Sequence, residues 1–173
     1  MTIQGESGYY VTSIVNPSSS LALTETIQTK SSVEKIEFKE LVKAGNDSLA
    51  RIVREYGSVY VTSITRDGCS GCEEQKPLYQ ELAIKVGREH PGKTRFSNVH
   101  VHAEEGVYRE SEEAKTIFHH VAYPTYMIHV KSRHGILEAY RAVYPKMEEL
   151  ERQIAESYEL ADHYRKENER ASV

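Results

Sequence analysis

Two cysteines separated by two residues, Cys69 and Cys72, are the residues of this 173-residue chain best suited to chemistry. They are the only cysteines in the sequence, and they occur where a predicted strand gives way to a predicted helix. Thiols at this spacing either close into a small disulfide or open to a dithiol. At a helix N-terminus the first sulfur meets unpaired backbone N–H groups and the positive end of the helix dipole, and both favour the reactive thiolate. The spacing therefore predicts thiol–disulfide chemistry.

Histidines offer an alternative use for the two thiols, because zinc prefers four nitrogen or sulfur ligands. His100 and His102 alternate along a predicted strand and so share one face of it, while His119 and His120 follow a predicted helix. A cation at a helix C-terminus also suits the helix dipole, which favours capping as the interpretation of His119 and His120. A zinc site therefore stays open as an alternative only if these histidines fold close to the cysteines.

The composition is typical of an ordinary globular protein, with 39% hydrophobic and 28% charged residues and a net charge of −4. Without a basic excess we expect no nucleic-acid partner, and without a long apolar run we expect no membrane association. The first residues lack the pattern of a signal peptide, so we expect a cytoplasmic protein. In a reducing cytoplasm an isolated pair of cysteines is catalytic, redox-sensing or metal-binding more often than it is structural, although a structural disulfide remains an alternative.

The residues before the cysteines predict an N-terminal extension followed by the first elements of a domain. Within the extension, residues 1–32, two β-prone runs (9–15 and 21–27) are separated by a turn, which favours a hairpin or a flexible arm. Val33 to Phe38 predicts a short strand or the start of a helix. Leu49 to Tyr56 predicts an amphipathic helix that Gly57 ends, and the β-branched run Ser58 to Ile64 predicts a buried central strand.

The residues after the cysteines alternate between helical and strand patterns. A long helix with an internal proline, Pro77, is predicted up to Glu89, then a strand, a short helix, a β-hairpin and a last helix that begins near Pro145. In order, the predicted elements are Glu73–Glu89, Arg95–His102, Ser111–His119, Pro124–Val130, Ile136–Val143 and the segment after Pro145. This order predicts an α/β protein with a mixed sheet and helices on both faces.

This order of elements, with its motifs, resembles the thioredoxin-like superfamily between about Leu49 and Tyr158. The motifs are Cys69-Ser70-Gly71-Cys72 after a hydrophobic strand, Pro77 five residues further on, the Tyr123-Pro124-Thr125 segment, and the Gly-containing turn before the last strand. Tyrosine before the proline is similar to the protein disulfide isomerase branch. The resemblance implies a three-layer α/β/α fold with a central mixed sheet, an N-terminal extension and a long C-terminal helix. It places the thioredoxin-like domain at residues 33–160. The high density of charged residues from Asp162 onward predicts a charged tail at 161–173 that projects into water.

The resemblance also implies roles for individual residues. Cys69 is the expected nucleophile and Cys72 the more buried resolving thiol, while Tyr123, Pro124 and Gly68 are expected to bind substrate. From the residues alone Pro124 fits an edge strand or a turn equally well, whereas the resemblance implies a cis peptide bond there. Two departures stand out. Gly68 replaces the tryptophan usual before the first cysteine, and Ser63 occupies the position of the family's buried acid.

The combined interpretation is a thiol–disulfide oxidoreductase that exchanges disulfides with protein substrates. The cysteines hold the two electrons, so no cofactor or metal is expected, and an external reductase or oxidant must recycle them. The alternative interpretation is a redox-sensing or non-catalytic interaction module of thioredoxin fold that makes its contacts through the N-terminal arm. A β-prone arm also raises the hypothesis of a homodimer through residues 1–32, because exposed strand edges pair between chains.

Overall fold

The computed structural model of the protein describes residues 33–43, 47–103 and 109–172. The predicted N-terminal hairpin, the extension at residues 1–32 and its role in a homodimer lie outside the described residues. Within the described residues no helix is both long and apolar enough to cross a membrane.

A five-stranded mixed sheet in the order β1-β3-β2-β4-β5 forms the centre of the molecule. Strands β1, β3 and β2 are parallel to one another, β4 is antiparallel to β2, and β5 is antiparallel to β4. The strands are β1 (Glu34–Glu37), β2 (Val59–Arg66), β3 (Thr94–Val101), β4 (Thr125–Ser132) and β5 (Gly135–Val143). The parallel strands therefore bring their carboxyl ends to one edge of the sheet.

In the part of the chain that the structure describes, five helices cover the two faces of the sheet, as the fold class predicts. They are listed as α1 (Phe38–Val42), α2 (Ser48–Ile52), α3 (Ser70–Glu89), α4 (Arg109–Phe118) and α5 (Met147–Ala171). One apolar cluster joins the sheet to α3 and α5, and a second joins it to α1, α2 and α4. Strand β2 serves both clusters, since Val59 and Val61 belong to the first while Tyr60 and Ile64 belong to the second.

The helix predicted over Leu49 to Tyr56 is shorter in the structure, because the chain leaves the helical conformation at Val53. Val53 is extended and only 1% exposed, so the apolar core takes its side chain at the cost of the last helical turn. Other bonds replace those of the helix: Arg54 Nε donates to the carbonyl of Arg51, and the backbone N–H of Glu55 donates to the Tyr60 hydroxyl, both at 2.8 Å. Tertiary packing therefore outweighs the local pattern here.

The charge-rich C-terminal segment continues α5 without a break as far as Ala171. Ala161 is 1% exposed and belongs to the apolar cluster beneath α5, and Tyr164 packs against the same cluster. The interpretation that this segment projects freely into water is therefore wrong for its first residues, because one helical face remains apolar beyond residue 160. The domain boundaries at 32/33 and 160/161 stay predictions.

Candidate thiol–disulfide site

A tight turn carries the chain from β2 into α3 and places the cysteines at the carboxyl edge of the sheet. Gly68 adopts a φ of +66°, a conformation that L side chains rarely adopt, so a glycine suits this point of the turn. Cys69 then serves as the N-cap of α3, and its Sγ accepts a hydrogen bond from the backbone N–H of Cys72 at 3.2 Å. The first cysteine thus meets the free N–H groups that the sequence predicts for it.

Cys69 and Cys72 form a disulfide in the structure, with their Cα atoms 5.2 Å apart. Cys69 is partly exposed, whereas Cys72 is 3% exposed and lies against the core. Cys72 is therefore the more buried of the two residues, as the resemblance implies. The pair is in its oxidised state, two electrons short of the dithiol, and Cys69 is the partner that solvent can reach.

The loop that contains Pro124 packs directly against the cysteine turn. The Tyr123–Pro124 peptide bond is cis, which is the isomer that the resemblance implies. Pro124 is buried, and a Cβ atom added to Gly71 would lie 3.4 Å from its Cδ. The fold thus brings together Cys69, Cys72 and Pro124, which are far apart in the sequence.

Tyr144 is a neighbour of the disulfide that the sequence analysis missed. A Cβ atom added to Gly71 would lie 3.0 Å from Tyr144 Cε2, so the ring rests on the backbone between the two cysteines. Tyr144 has a φ of +48°, and its N–H donates to the carbonyl of Pro124 at 3.0 Å. A hydrogen bond with Glu74 raises the pKa of the Tyr144 hydroxyl. Tyr144 thus links α3 to the Pro124 loop from the exposed side.

A cavity of about 90 Å³ lies behind Cys72, and it is lined both by uncharged polar residues such as Ser63 and Asn98 and by the charged side chains of Lys35, Glu73 and Lys76. Ser63, the position of the family's buried acid, is 1% exposed and its Oγ accepts a hydrogen bond from Asn98 Nδ2 at 2.9 Å. The Tyr79 hydroxyl closes the far side by donating to the carbonyls of Val61 and Ser97 at 2.9 and 3.1 Å. Burial raises the pKa of Tyr79 well above its usual value, so this wall of the cavity is neutral.

The side chain of Tyr123 is held on the opposite side of the Pro124 loop. Its hydroxyl lies 3.1 Å from Ser111 Oγ, its ring packs edge-on against His120, and the Arg66 guanidinium lies 5.1 Å from the ring centroid. Of the residues predicted to bind substrate, Tyr123 therefore precedes the proline that packs against the cysteine turn, while its side chain contacts α4. Gly68 borders open space, with no atom within 4 Å of an added Cβ.

His120 departs from its predicted role as a cation at a helix end. Helix α4 ends at Phe118, and the chain then turns through His119, which has a φ of +52°. His120 is 4% exposed, and burial together with the charges of Arg141 and Lys115 lowers its pKa to about 4. A buried neutral imidazole adds no positive charge at the helix end, so the expectation of a cation there is wrong for His120, and a hydrogen bond with the backbone of Ala114 in α4 only partly offsets the effect of burial on its pKa.

A second group of titratable residues lies at the same edge of the sheet, and one of them, Asp67, precedes Cys69 by two residues. We define the histidine–carboxylate cluster as Glu37, Asp67, His100 and His102. Asp67 Oδ1 lies 2.8 Å from His100 Nε2, Asp67 Oδ2 lies 3.0 Å from His102 Nδ1, and Glu37 Oε2 lies 2.7 Å from His102 Nε2. The predicted strand face does bring the two histidines together, but beside Asp67 rather than beside the thiols.

Hydrogen bonds within the cluster shift two pKa values in opposite directions. Those with Glu37 and Asp67 raise the pKa of His102. Partial burial acts to raise the pKa of Asp67, but the hydrogen bonds with His100 and His102 outweigh it, and the net shift is downward. Opposite charges are therefore favoured on these neighbours.

Comparison with solved structures shows which fold this arrangement belongs to. Thioredoxin from Trichomonas vaginalis superposes with a TM-score of 0.53 and 11% identity, over 72% of this chain and 96% of that one. Thioredoxin from Trypanosoma brucei brucei gives 0.52 and 13%, over 73% and 91%. The Malassezia sympodialis thioredoxin Mala s 13 gives 0.51 and 16%, over 73% and 91%.

These likenesses, together with the five-stranded sheet and the cysteine pair, establish that the chain has the thioredoxin fold. No protein-family model matches the sequence, and no curated protein does. At identities of 11–16% the likeness concerns the fold, so the activity is argued from the residues of the site.

Proposed function

We propose that this protein is a thiol–disulfide oxidoreductase that acts on protein disulfides or dithiols. The observation that carries the proposal is the redox-competent pair itself. A partly exposed Cys69 caps the N-terminus of α3, bonded to a buried Cys72 beside Pro124. A helix N-terminus favours the thiolate of Cys69 when the pair is reduced, and the thiolate is the nucleophile in disulfide exchange.

In the reducing direction the Cys69 thiolate attacks one sulfur of a substrate disulfide. The substrate S–S bond breaks, a mixed disulfide forms, and the first substrate sulfur leaves as a thiolate that takes up a proton. Cys72, deprotonated, then attacks Cys69 Sγ and releases the second substrate thiol. The substrate gains two electrons, and the protein returns to the disulfide seen in the structure. Run in reverse, the same steps oxidise a substrate dithiol.

The surroundings of the pair support a role for the backbone in substrate binding. The backbone at Tyr123 lies next to Pro124 beside the disulfide, so an extended segment of substrate can pair with it, as β-strand addition does elsewhere. Gly68 leaves open space on the other side of Cys69. No dissociable cofactor takes part, and a reductase or oxidant partner, in a compartment such as the cytoplasm, resets the pair.

A redox-sensing or non-catalytic interaction module is the second candidate, and Ser63 favours it. An uncharged hydroxyl replaces the family's buried acid behind Cys72, so a carboxylate is not available at that position to move a proton during resolution. In this candidate the disulfide switches slowly and the partner binds elsewhere, the N-terminal arm being the proposed surface.

Turnover of a peptide disulfide by the full-length protein, with dithiothreitol as the recycling reductant, separates the candidates. We expect the wild type to accelerate cleavage and Cys69→Ser to react at the buffer rate. In a parallel reaction without dithiothreitol, Cys72→Ser should accumulate a mixed disulfide with the substrate, visible as an added mass. Ser70→Ala, between the cysteines, is the matched control and should keep its activity. If the folded wild type cleaves the substrate no faster than Cys69→Ser, the oxidoreductase proposal is wrong and the interaction module remains.

A further inference from the structure

The histidine–carboxylate cluster combines the ligand types of a transition-metal site at the carboxyl edge of the parallel strands. Glu37 ends β1, Asp67 follows β2, His100 lies near the end of β3 and His102 follows that strand. The strand register places Glu37 and His100 opposite each other on the sheet face that carries α3, because their neighbours Ile36 and Val99 pair on the other face. Crevices at the carboxyl ends of parallel strands are common ligand sites in α/β proteins.

We propose that Asp67, His100 and His102 bind one divalent transition-metal ion, such as Zn²⁺, with Glu37 as a supporting residue. The ligand atoms of the three residues all lie within 4.8 Å of one another. Bonds of about 2.0–2.2 Å in tetrahedral geometry require ligand atoms about 3.5 Å apart. Side-chain rotations that move the ligand atoms by about 1 Å would therefore bring all three within bonding distance of one ion. Two imidazoles and one carboxylate form a donor set typical of zinc and of other first-row metals.

The outer nitrogens of both histidines already have partners, as they do in established metal sites. His102 points Nδ1 at Asp67 and Nε2 at Glu37, so a proton held on Nε2 by Glu37 leaves the Nδ1 lone pair for the metal. His100 points Nε2 at Asp67, while its Nδ1 lies 3.4 Å from Thr65 Oγ1. Such partners fix the tautomer and orientation of ligating histidines.

The cluster is open to solvent on its outer side. The side chains of His100, His102 and Asp67 are 29%, 42% and 46% exposed, so an ion can reach them without unfolding. Three protein ligands leave one tetrahedral position for water or another small ligand, unlike the closed set of four in structural zinc sites. The proposed site is therefore an exchangeable one, and it is joined to Cys69 through Gly68 alone.

Binding of Zn²⁺ to the oxidised full-length protein tests the proposal, since the disulfide removes both thiolates as competing ligands. Isothermal titration should give saturable binding of one ion per chain, and Co²⁺ should give visible absorption bands of a nitrogen- and oxygen-ligated ion. The double variant His100→Ala/His102→Ala and the near-isosteric Asp67→Asn should lose this binding. Glu37→Gln should weaken it about tenfold, as is usual for residues behind the ligands.

His134→Ala is the matched control, because His134 lies in the exposed turn between β4 and β5, away from the cluster. Its affinity for Zn²⁺ should equal that of the wild type, and circular dichroism should show that every variant is folded. Two results would overturn the proposal: no saturable binding by the oxidised wild type, or equal binding by folded wild type and the double variant. Neither result depends on disulfide exchange, so the oxidoreductase proposal is tested separately.

Discussion

Cys69 of the cysteine site and Asp67 of the histidine–carboxylate cluster are two residues apart in the sequence, yet the surroundings of Cys72 and Asp67 differ. Cys72 lies against the core, between a cavity behind it and the Pro124 loop beside it. Asp67 lies on the other side of Gly68, where it forms hydrogen bonds with the partly exposed side chains of His100 and His102. A single turn, in which Gly68 adopts a positive φ, therefore separates the two environments. We therefore expect substitutions around the cysteine site to change stability through lost packing. Solvent should weaken the electrostatic interactions of the histidine–carboxylate cluster, so substitutions there should have smaller effects.

The largest expected stability effect concerns His120, which packs behind Tyr123 in the region of the cysteine site. Its pKa is lowered from 6.5 to about 4 in the folded state, so the unfolded chain binds more protons between these values. Stability is therefore present above about pH 6.5 and is lost as the pH falls towards 4. From pH 8 to pH 5 the loss from this residue should be about 2 kcal/mol. Urea unfolding at a series of pH values measures it.

His120→Leu provides the control, because leucine fills a similar volume and has no group that titrates. Its unfolding free energy should fall less between pH 8 and pH 5 than that of the wild type. Equal slopes for the two proteins would show that His120 is charged or solvated in the fold.

Tyr79→Phe should have the next largest effect, because the Tyr79 hydroxyl donates to two buried carbonyls behind Cys72. Leaving both carbonyls without this donor should cost about 1.5 kcal/mol of unfolding free energy. Chemical denaturation at pH 7.5 measures the loss, with Tyr56→Phe as a less buried control. An unchanged midpoint for Tyr79→Phe would indicate that water enters the cavity and replaces the hydroxyl.

Tyr144→Ala tests whether the ring over Gly71 restricts access to the disulfide. Removing it should speed reduction of the Cys69–Cys72 bond by dithiothreitol about threefold, since exchange rates depend on access to the sulfur. Stopped-flow measurement of thiol release follows the reaction. Tyr144→Phe keeps the ring and loses only the bond to Glu74, so it should react as the wild type does. A slower Tyr144→Ala would assign the ring to positioning rather than to covering.

Glu37→Gln should have the smallest effect, because it removes one charge from the solvated cluster. In metal-free buffer the unfolding free energy should change by less than about 0.5 kcal/mol, and less still in 0.5 M salt. Thermal unfolding in a chelating buffer measures this change. A loss comparable with that of Tyr79→Phe would break the contrast between the packed and the solvated region.

Local patterns were sufficient to predict much of the fold and part of the site. The β-branched run of β2, the helix after the cysteines and the apolar stripe of α5 were read correctly because each is a sustained period. The end of α2 was missed, because burial of Val53 depends on the second apolar cluster. His120 was misread for the same reason, since its neighbours Tyr123 and Arg141 come from later segments.

The sequence by itself determined that two cysteines stand at a strand-to-helix turn and that His100 and His102 share a strand face. Both facts depend on residues a few positions apart, where backbone geometry fixes the relation. Only the tertiary structure placed Tyr144 on Gly71, and Glu37 and Asp67 around the histidines. These neighbours are 33 to 73 positions apart, and the order of strands in the sheet decides which of them meet. No local pattern encodes that order, because it follows from how the two apolar faces of the sheet are covered.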